Sequence, residues 1–208
     1  MKHLLFAVAV IGLGGGCGVK RVPGQLLDQL PYEAKIELLE AENDLALAVD
    51  RLDEAESEIR RSADQIRRAK DRRSDASSEV GHARDALSRE VAELAVIEAE
   101  RRVEWLRAQQ KVHVKEEDIA DQNLTCAKGR FELARLTVAR KAKLEGSERL
   151  DPAEFEGQVQ SCEAKFGTMK DELKEVSSEA GKLRDEWDRA RAALAKKTFD
   201  ARASPFVE

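Results

Sequence analysis

Residues 38–69, LLEAENDLALAVDRLDEAESEIRRSADQIRRA, decide the fold. One set of positions, seven residues apart, is apolar throughout: Leu38, Leu45, Leu52, Ile59 and Ile66. A companion set, three residues further on, is small: Ala41, Ala48, Ala55, Ser62 and Ala69. Residues that repeat in this way occupy the a and d positions of a coiled-coil seam. Because small side chains let a neighbouring helix approach closely, the pattern favours an antiparallel helix pair.

The same seam continues through residues 73–83 and on to Leu87 and Leu94 without a change of phase. The phase then changes near residues 91–96. A second seam runs from Val96 to Val138 and is polar between Gln110 and Glu117, and a third runs from Val159 to Leu194. Together the seams predict an all-α protein built as a long antiparallel coiled-coil hairpin, with an elongated three-helix bundle as the alternative.

The two architectures differ in where the chain turns. The hairpin turns once within the polar residues 115–123, near the middle of the helical region, which gives two arms of equal length. The three-helix bundle turns at residues 74–78 and again at residues 146–151. Both contain a break near residues 146–151, because Gly146 can end a helix and Asp151-Pro152 provides an N-cap followed by proline at the first helical position.

Composition argues against several functions. Charged residues make up 37% of the 208-residue chain and aromatic residues 4%, and the net charge is −5, so nucleic acid is not an expected partner. The sequence contains no glycine-rich phosphate loop and no nucleophile elbow, and no small-molecule substrate is evident. His113 with Glu116 and Glu117 offers only the kind of ligand pair that acidic helices produce by chance. We therefore predict no enzymatic activity, no cofactor and no metal site.

The N-terminal residues, MKHLLFAVAVIGLGGGC, have the form of an export signal. A basic start is followed by an apolar run that is too short to span a bilayer, and then by small residues that lead to Cys17. This segment resembles the lipobox signal of bacterial lipoproteins, in which the chain is cut before a cysteine that receives diacylglycerol. The usual motif has leucine three places before the cysteine, whereas here Leu13 lies four places before it.

The resemblance implies lipidation of Cys17 and an envelope protein on the periplasmic side, held at the outer membrane by its lipid. It divides the chain into a signal peptide (1–16), the lipidated cysteine with a tether (17–31), a helical coiled-coil domain (32–199) and a C-terminal tail (200–208). The whole resembles the Ala-rich coiled-coil lipoproteins of bacterial envelopes.

Cys126 and Cys162 form a candidate disulfide on which two arguments disagree. Cysteine pairs in exported proteins usually become oxidised. However, Cys126 lies further from the expected helix end at Glu145 than Cys162 lies from the expected helix start at Pro152. The difference of about nine residues corresponds to about 13 Å along a helix axis. Cα atoms joined by a disulfide must lie within about 7 Å of each other.

The hairpin architecture assigns a partner-binding tip to the residues around the predicted turn: Trp105, Gln109, Lys111, Lys115 and Glu116. Trp105 lies off the second seam, so it is either exposed for a partner or packed on a third helix or on another copy of the chain. The sequence therefore predicts a lipid-anchored structural or protein-interaction module of the bacterial envelope that binds other envelope proteins or itself. The alternative is a component of an export, efflux or motility machine whose hairpin tip contacts a channel protein.

Overall fold

The computed structural model of the chain describes residues 19–198 and confirms the all-α fold. No strand occurs in this range. The α-helices are α1 (Gly24–Asp28), α2 (Tyr32–Ile36), α3 (Leu39–His82), α4 (Ala86–Lys141) and α5 (Pro152–Thr198), and a single 3-10 turn covers Ser147–Arg149.

Three long helices form an antiparallel bundle in which α4 is central. Both α3 and α5 pack along α4, and they touch each other little. The 56 residues of α4 extend over about 84 Å at 1.5 Å per residue. Because α4 has a neighbour on each side, it buries two stripes of side chains where α3 and α5 bury one.

The first predicted seam is the buried stripe of α3. Ala48, Ile66, Ala69 and Ala76 are all at most 6% exposed, and they face α4 residues such as Val103 and Leu124. The seam fails where α3 ends, since Leu87 is 59% exposed. The heptads therefore predicted the packed face of α3 correctly but gave no sign of where the helix stops.

The predicted turn at residues 115–123 is wrong, because this stretch lies inside α4 without interruption. Its polar residues do not need a loop. Lys115 forms an ion pair with Glu172 of α5 at 2.9 Å, while Val112 and Ala120, on either side of it in the sequence, are buried. The stretch contains neither glycine nor proline, so nothing in its backbone chemistry ends a helix.

The chain instead folds as the alternative three-helix bundle, with its first turn at residues 83–85 and not at 74–78. Ser77 Oγ donates to the carbonyl of Arg73 at 2.9 Å, so this serine satisfies its hydroxyl within the helix. Asp85 then starts α4 as an N-cap, since its carboxylate accepts from Ser88 N at 2.7 Å. Ser88 Oγ also donates to this carboxylate at 2.7 Å, and the two hydrogen bonds from Ser88 hold the pKa of Asp85 below its ordinary value.

The second break lies close to its predicted place. Helix α5 begins at Pro152 as expected, and Asp151 accepts a hydrogen bond from Ala153 N at 3.0 Å. Gly146 adopts the left-handed conformation, with φ of 92°. Helix α4 ends at Lys141, before the predicted end at Glu145, so residues 142–151 form the connection.

The predicted tether is packed on the bundle from Val22 onward. We call residues 19–30 the strap. Val22 and Leu26 lie against Leu136 of α4 and Phe155 of α5, and Leu30 packs with Val138. The amide of Val22 also donates to the buried carboxylate of Glu132 at 2.8 Å. The described part of the predicted tether, residues 17–31, therefore packs against α4 and α5.

Candidate functional site

An apolar groove opens at the end of the bundle where α3 turns into α4. We call it the tip groove; its volume is about 840 Å³. Its polar lining residues include Glu79, His82 and Lys197, and its apolar lining consists of Ala83, Leu87, Val91, Ala92, Ala95 and Leu194. A groove of this size is comparable to pockets that hold small ligands or several apolar side chains.

The turn at residues 83–85 creates this groove. His82 ends α3 by donating from Nδ1 to the carbonyl of Ser78 at 2.8 Å, and Asp85 then caps α4. The first turn of α4 therefore projects Leu87 away from the stripe that the heptads predicted for it. Leu194 of α5 is only 1% exposed; it lines the groove with Ala95 and also packs with Ala76 of α3.

The residues predicted as a tip lie midway along α4, and no turn brings them together at an end. Trp105 stacks on Trp187 of α5, with ring centroids 4.9 Å apart, as expected if it packs on a third helix. Gln109 is half-buried beside His113, and Lys111 is exposed. Lys115 reaches across to α5, and Glu116 pairs with His113 Nδ1 at 3.0 Å. Their role in partner binding remains a prediction, and any such site would lie along the side of the bundle and not at its end.

A buried polar cluster lies between α4 and α5. Glu98 is fully buried, and its Oε1 accepts from the indole Nε1 of Trp187 at 2.7 Å. Its Oε2 has no hydrogen-bond partner within residues 19–198. Burial raises the pKa of Glu98, which the hydrogen bond from Trp187 and the charges of nearby arginines such as Arg102 and Arg191 partly oppose. The carboxyl is therefore closed to solvent in the interface between α4 and α5.

Cys126 and Cys162 are joined by a disulfide, with Cα atoms 5.5 Å apart. The axial mismatch that argued against this bond came from the misplaced end of α4. Counted from the observed end of α4 at Lys141 and the start of α5 at Pro152, the mismatch falls to about five residues, or about 7.5 Å. The connection 142–151 takes up this remainder, because it carries the chain along the bundle before α5 begins.

Cys17, the signal peptide (1–16) and the whole predicted tail (200–208) lie outside the described residues, so lipidation remains a prediction. Within the described range, no group of three or more His, Cys, Asp or Glu side chains is placed to hold a metal ion. None of the helices in residues 19–198 combines the length and apolar character needed to cross a bilayer.

Sequence reasoning missed two features that the structure brings out. The first is the tip groove, whose local signal was the Asp85-x-x-Ser88 cap. The second is the packing of the strap, whose signal was the four-residue spacing of Val22, Leu26 and Leu30. Both signals are short, and neither depends on the heptad spacing.

The comparisons with known proteins give no further guide. No protein family, no curated protein and no solved structure matches this chain.

Proposed function

We propose that this protein is a lipid-anchored, periplasmic interaction module of the bacterial envelope, which binds another envelope protein through the tip groove. Its helical bundle acts as a spacer between the lipid anchor and the tip groove. The anchor is the lipid that the lipobox-like segment implies for Cys17, and the strap connects that anchor to one part of the bundle.

The tip groove is the observation that carries the proposal. Leu87 is 59% exposed in a groove whose other apolar residues are largely covered, so an apolar partner would bury surface that water now contacts. The groove also lies far from the strap. The part of α4 between Ala86 and Glu132, where the strap is held, extends over about 69 Å.

The partner that fits is an amphipathic helix with an apolar stripe. Grooves between helices bind such a helix through side chains at i, i+3, i+4 and i+7. The polar residues at the groove, Glu79, His82 and Lys197, would lie beside the polar edges of that helix. If the partner is a channel protein, the module is a component of an export, efflux or motility machine, which is the narrower form of the proposal.

Crosslinking in cells tests the groove. A photoreactive residue at position 79 should give one adduct with an envelope protein. Leu87→Asp should abolish this adduct, whereas Val114→Asp, at an exposed apolar position midway along α4, should leave it unchanged. An adduct that survives Leu87→Asp, or one formed only with residues 199–208 of the same chain, would refute the groove as a partner site.

Metabolic labelling with palmitate tests the anchor separately. The wild-type protein should incorporate label and Cys17→Ala should not. Equal labelling of both proteins would contradict lipidation of Cys17. Loss of the position-79 adduct in the Cys17→Ala protein would further support the idea that the anchor brings the module to its partner.

A further inference from the structure

A cationic cavity lies on the flank of the bundle where the strap begins. It has a volume of about 400 Å³, and Val19, Arg21, Lys128, Phe131 and Arg135 are among its lining residues. Val19 is the second residue after Cys17, so the cavity adjoins the point from which the chain continues to the predicted lipid.

The strap is held firmly at this level of the bundle. The amide of Lys20 donates to Gln158 Oε1 of α5 at 3.0 Å, and its ammonium group pairs with Glu154. Two residues further on, the amide of Val22 donates to Glu132 at 2.8 Å. Glu132 lies about 13 Å along α4 from the end of that helix at Lys141. The first described residues therefore lie beside α4 and not beyond its end.

The charges in this cavity are poorly matched by carboxylates of the protein. Within residues 19–198, neither Arg21 nor Lys128 forms an ion pair, and both are exposed. Glu132 is the only acidic residue of the lining; it is buried, and it is already engaged by Arg135 at 2.8 Å and by the strap. Arg135 also lies over the ring of Phe131 at 4.5 Å, which fixes its guanidinium group. A chain of net charge −5 thus carries a local surplus of positive charge here.

An apolar patch continues from this cavity on the same flank. A second cavity, of about 270 Å³, shares Arg135. Its apolar lining includes the buried Leu30 and Leu38 and the exposed Ile36 and Leu39, and Lys35 and Glu42 are its other charged lining residues. Ile36 is 48% and Leu39 is 57% exposed. Basic side chains beside exposed apolar ones are what an interfacial membrane surface requires, because the former meet anionic headgroups while the latter enter the acyl boundary.

We infer that this flank lies on the bilayer, with Arg21, Lys128 and Arg135 on the phosphate groups of anionic phospholipids and with Ile36 and Leu39 in the interface. The inference rests on the proposed lipid at Cys17, which keeps the flank next to the membrane. A lipid anchor alone would allow the bundle any orientation relative to the bilayer, whereas contact through this flank holds the bundle with its side against the membrane.

Spin labelling of the intact lipidated protein tests this surface. Leu39→Cys provides one labelling site, and Val114→Cys provides an exposed control site on α4; the native Cys126 and Cys162 are joined to each other. The protein is reconstituted in vesicles of phosphatidylcholine alone or mixed with phosphatidylglycerol. Relaxation by lipid-soluble oxygen and by a water-soluble nickel chelate then reports which phase surrounds each label.

In the mixed vesicles the label at position 39 should become accessible to oxygen and protected from nickel, and the label at position 114 should stay in water. Each basic residue near an anionic surface changes the equilibrium about fivefold. Arg21→Gln with Lys128→Gln should therefore lower, about 25-fold, the ratio of protein whose position 39 lies in the membrane interface to protein whose position 39 lies in water. The matched pair Lys182→Gln with Lys196→Gln, two exposed residues of α5, should have little effect.

Two results would overturn the inference while leaving the anchor intact. One is a label at position 39 that stays in water in both kinds of vesicle although the protein floats with them. The other is a label at position 39 that moves from the membrane interface into water when inorganic phosphate is added at constant ionic strength. The basic side chains of the cavity would then bind a free anion and not a lipid headgroup. A protein that carries no lipid and does not float would overturn the proposed function itself, and this inference with it.

Discussion

Loss of the disulfide should cost this bundle a large part of its stability. Cys126 and Cys162 are separated by 36 residues, which include the whole connection between α4 and α5. Crosslinking such a loop lowers the entropy of the unfolded chain by about 13 cal/mol/K, which corresponds to about 3.8 kcal/mol at 25 °C. Single domains are stable by only about 5–15 kcal/mol, so the difference is readily measured.

Reduction and substitution separate two contributions. A reducing agent opens the bond and leaves both sulfur atoms in place, so it should lower the free energy of unfolding by the crosslinking part alone. Cys126→Ala with Cys162→Ala also removes the two sulfur atoms from positions that are 2% and 8% exposed. Deleting buried atoms of this size adds about 1 kcal/mol for each site. The double variant should therefore be the less stable of the two by about 1–2 kcal/mol.

Urea unfolding followed by circular dichroism at the helix band measures both effects. With a slope of about 2 kcal/mol/M, reduction should move the midpoint down by about 2 M. Ser161→Ala, an exposed change beside Cys162, is the matched control and should not move it. An unchanged midpoint after complete reduction, verified by alkylation of both thiols, would refute the reasoning.

Three further predictions are tested by urea unfolding, the last of them also by amide exchange. Phe155→Ala should cost about 3–5 kcal/mol because the ring is 1% exposed beneath the strap, whereas Leu47→Ala, 46% exposed, should change the free energy of unfolding by less than about 0.5 kcal/mol. Burial raises the pKa of Glu98, so the stability gained from its proton is fully present below the unfolded pKa and is lost as the pH rises through the folded pKa. Stability should therefore increase as the pH falls through the raised pKa of Glu98 toward the ordinary glutamate value, and urea midpoints of Glu98→Gln should lack this increase. Glu132→Ala removes the acceptor of the buried Val22 amide and should cost about 1–3 kcal/mol, with faster amide exchange in the strap than in α4.

The helix faces were predictable because heptad spacing follows directly from burial. A side chain at every seventh position returns to nearly the same face, so Ala48, Ile66 and Ala69 had to be covered by a neighbour. The start of α5 was predictable for a different reason, since proline lacks the amide that the first helical position leaves unpaired. These features depend on local chemistry and on periodicity alone.

The turns were less predictable because a polar residue does not by itself break a helix. Residues 74–78 and 115–123 are rich in polar side chains, yet both stay helical, with serine hydroxyls bonded to the backbone or charges paired across the bundle. The real turn at residues 83–85 depends on one cap, Asp85 on Ser88, within a seam that shows no change of phase. Periodicity reports which face is covered, and it is silent about where the chain reverses.

Two residues of α4 that do not fit its heptad seam indicate that a third helix packs on α4. Trp105 lies off the second seam and Cys126 lies beside it, and the two are separated by three whole heptads. In the structure both face α5, where Trp105 stacks on Trp187 and Cys126 is bonded to Cys162. A shared offset from one seam is therefore evidence for a second covered stripe on the same helix. A helix in a two-armed hairpin needs only one such stripe, so the position of these two residues already favours the bundle in which α4 lies between α3 and α5.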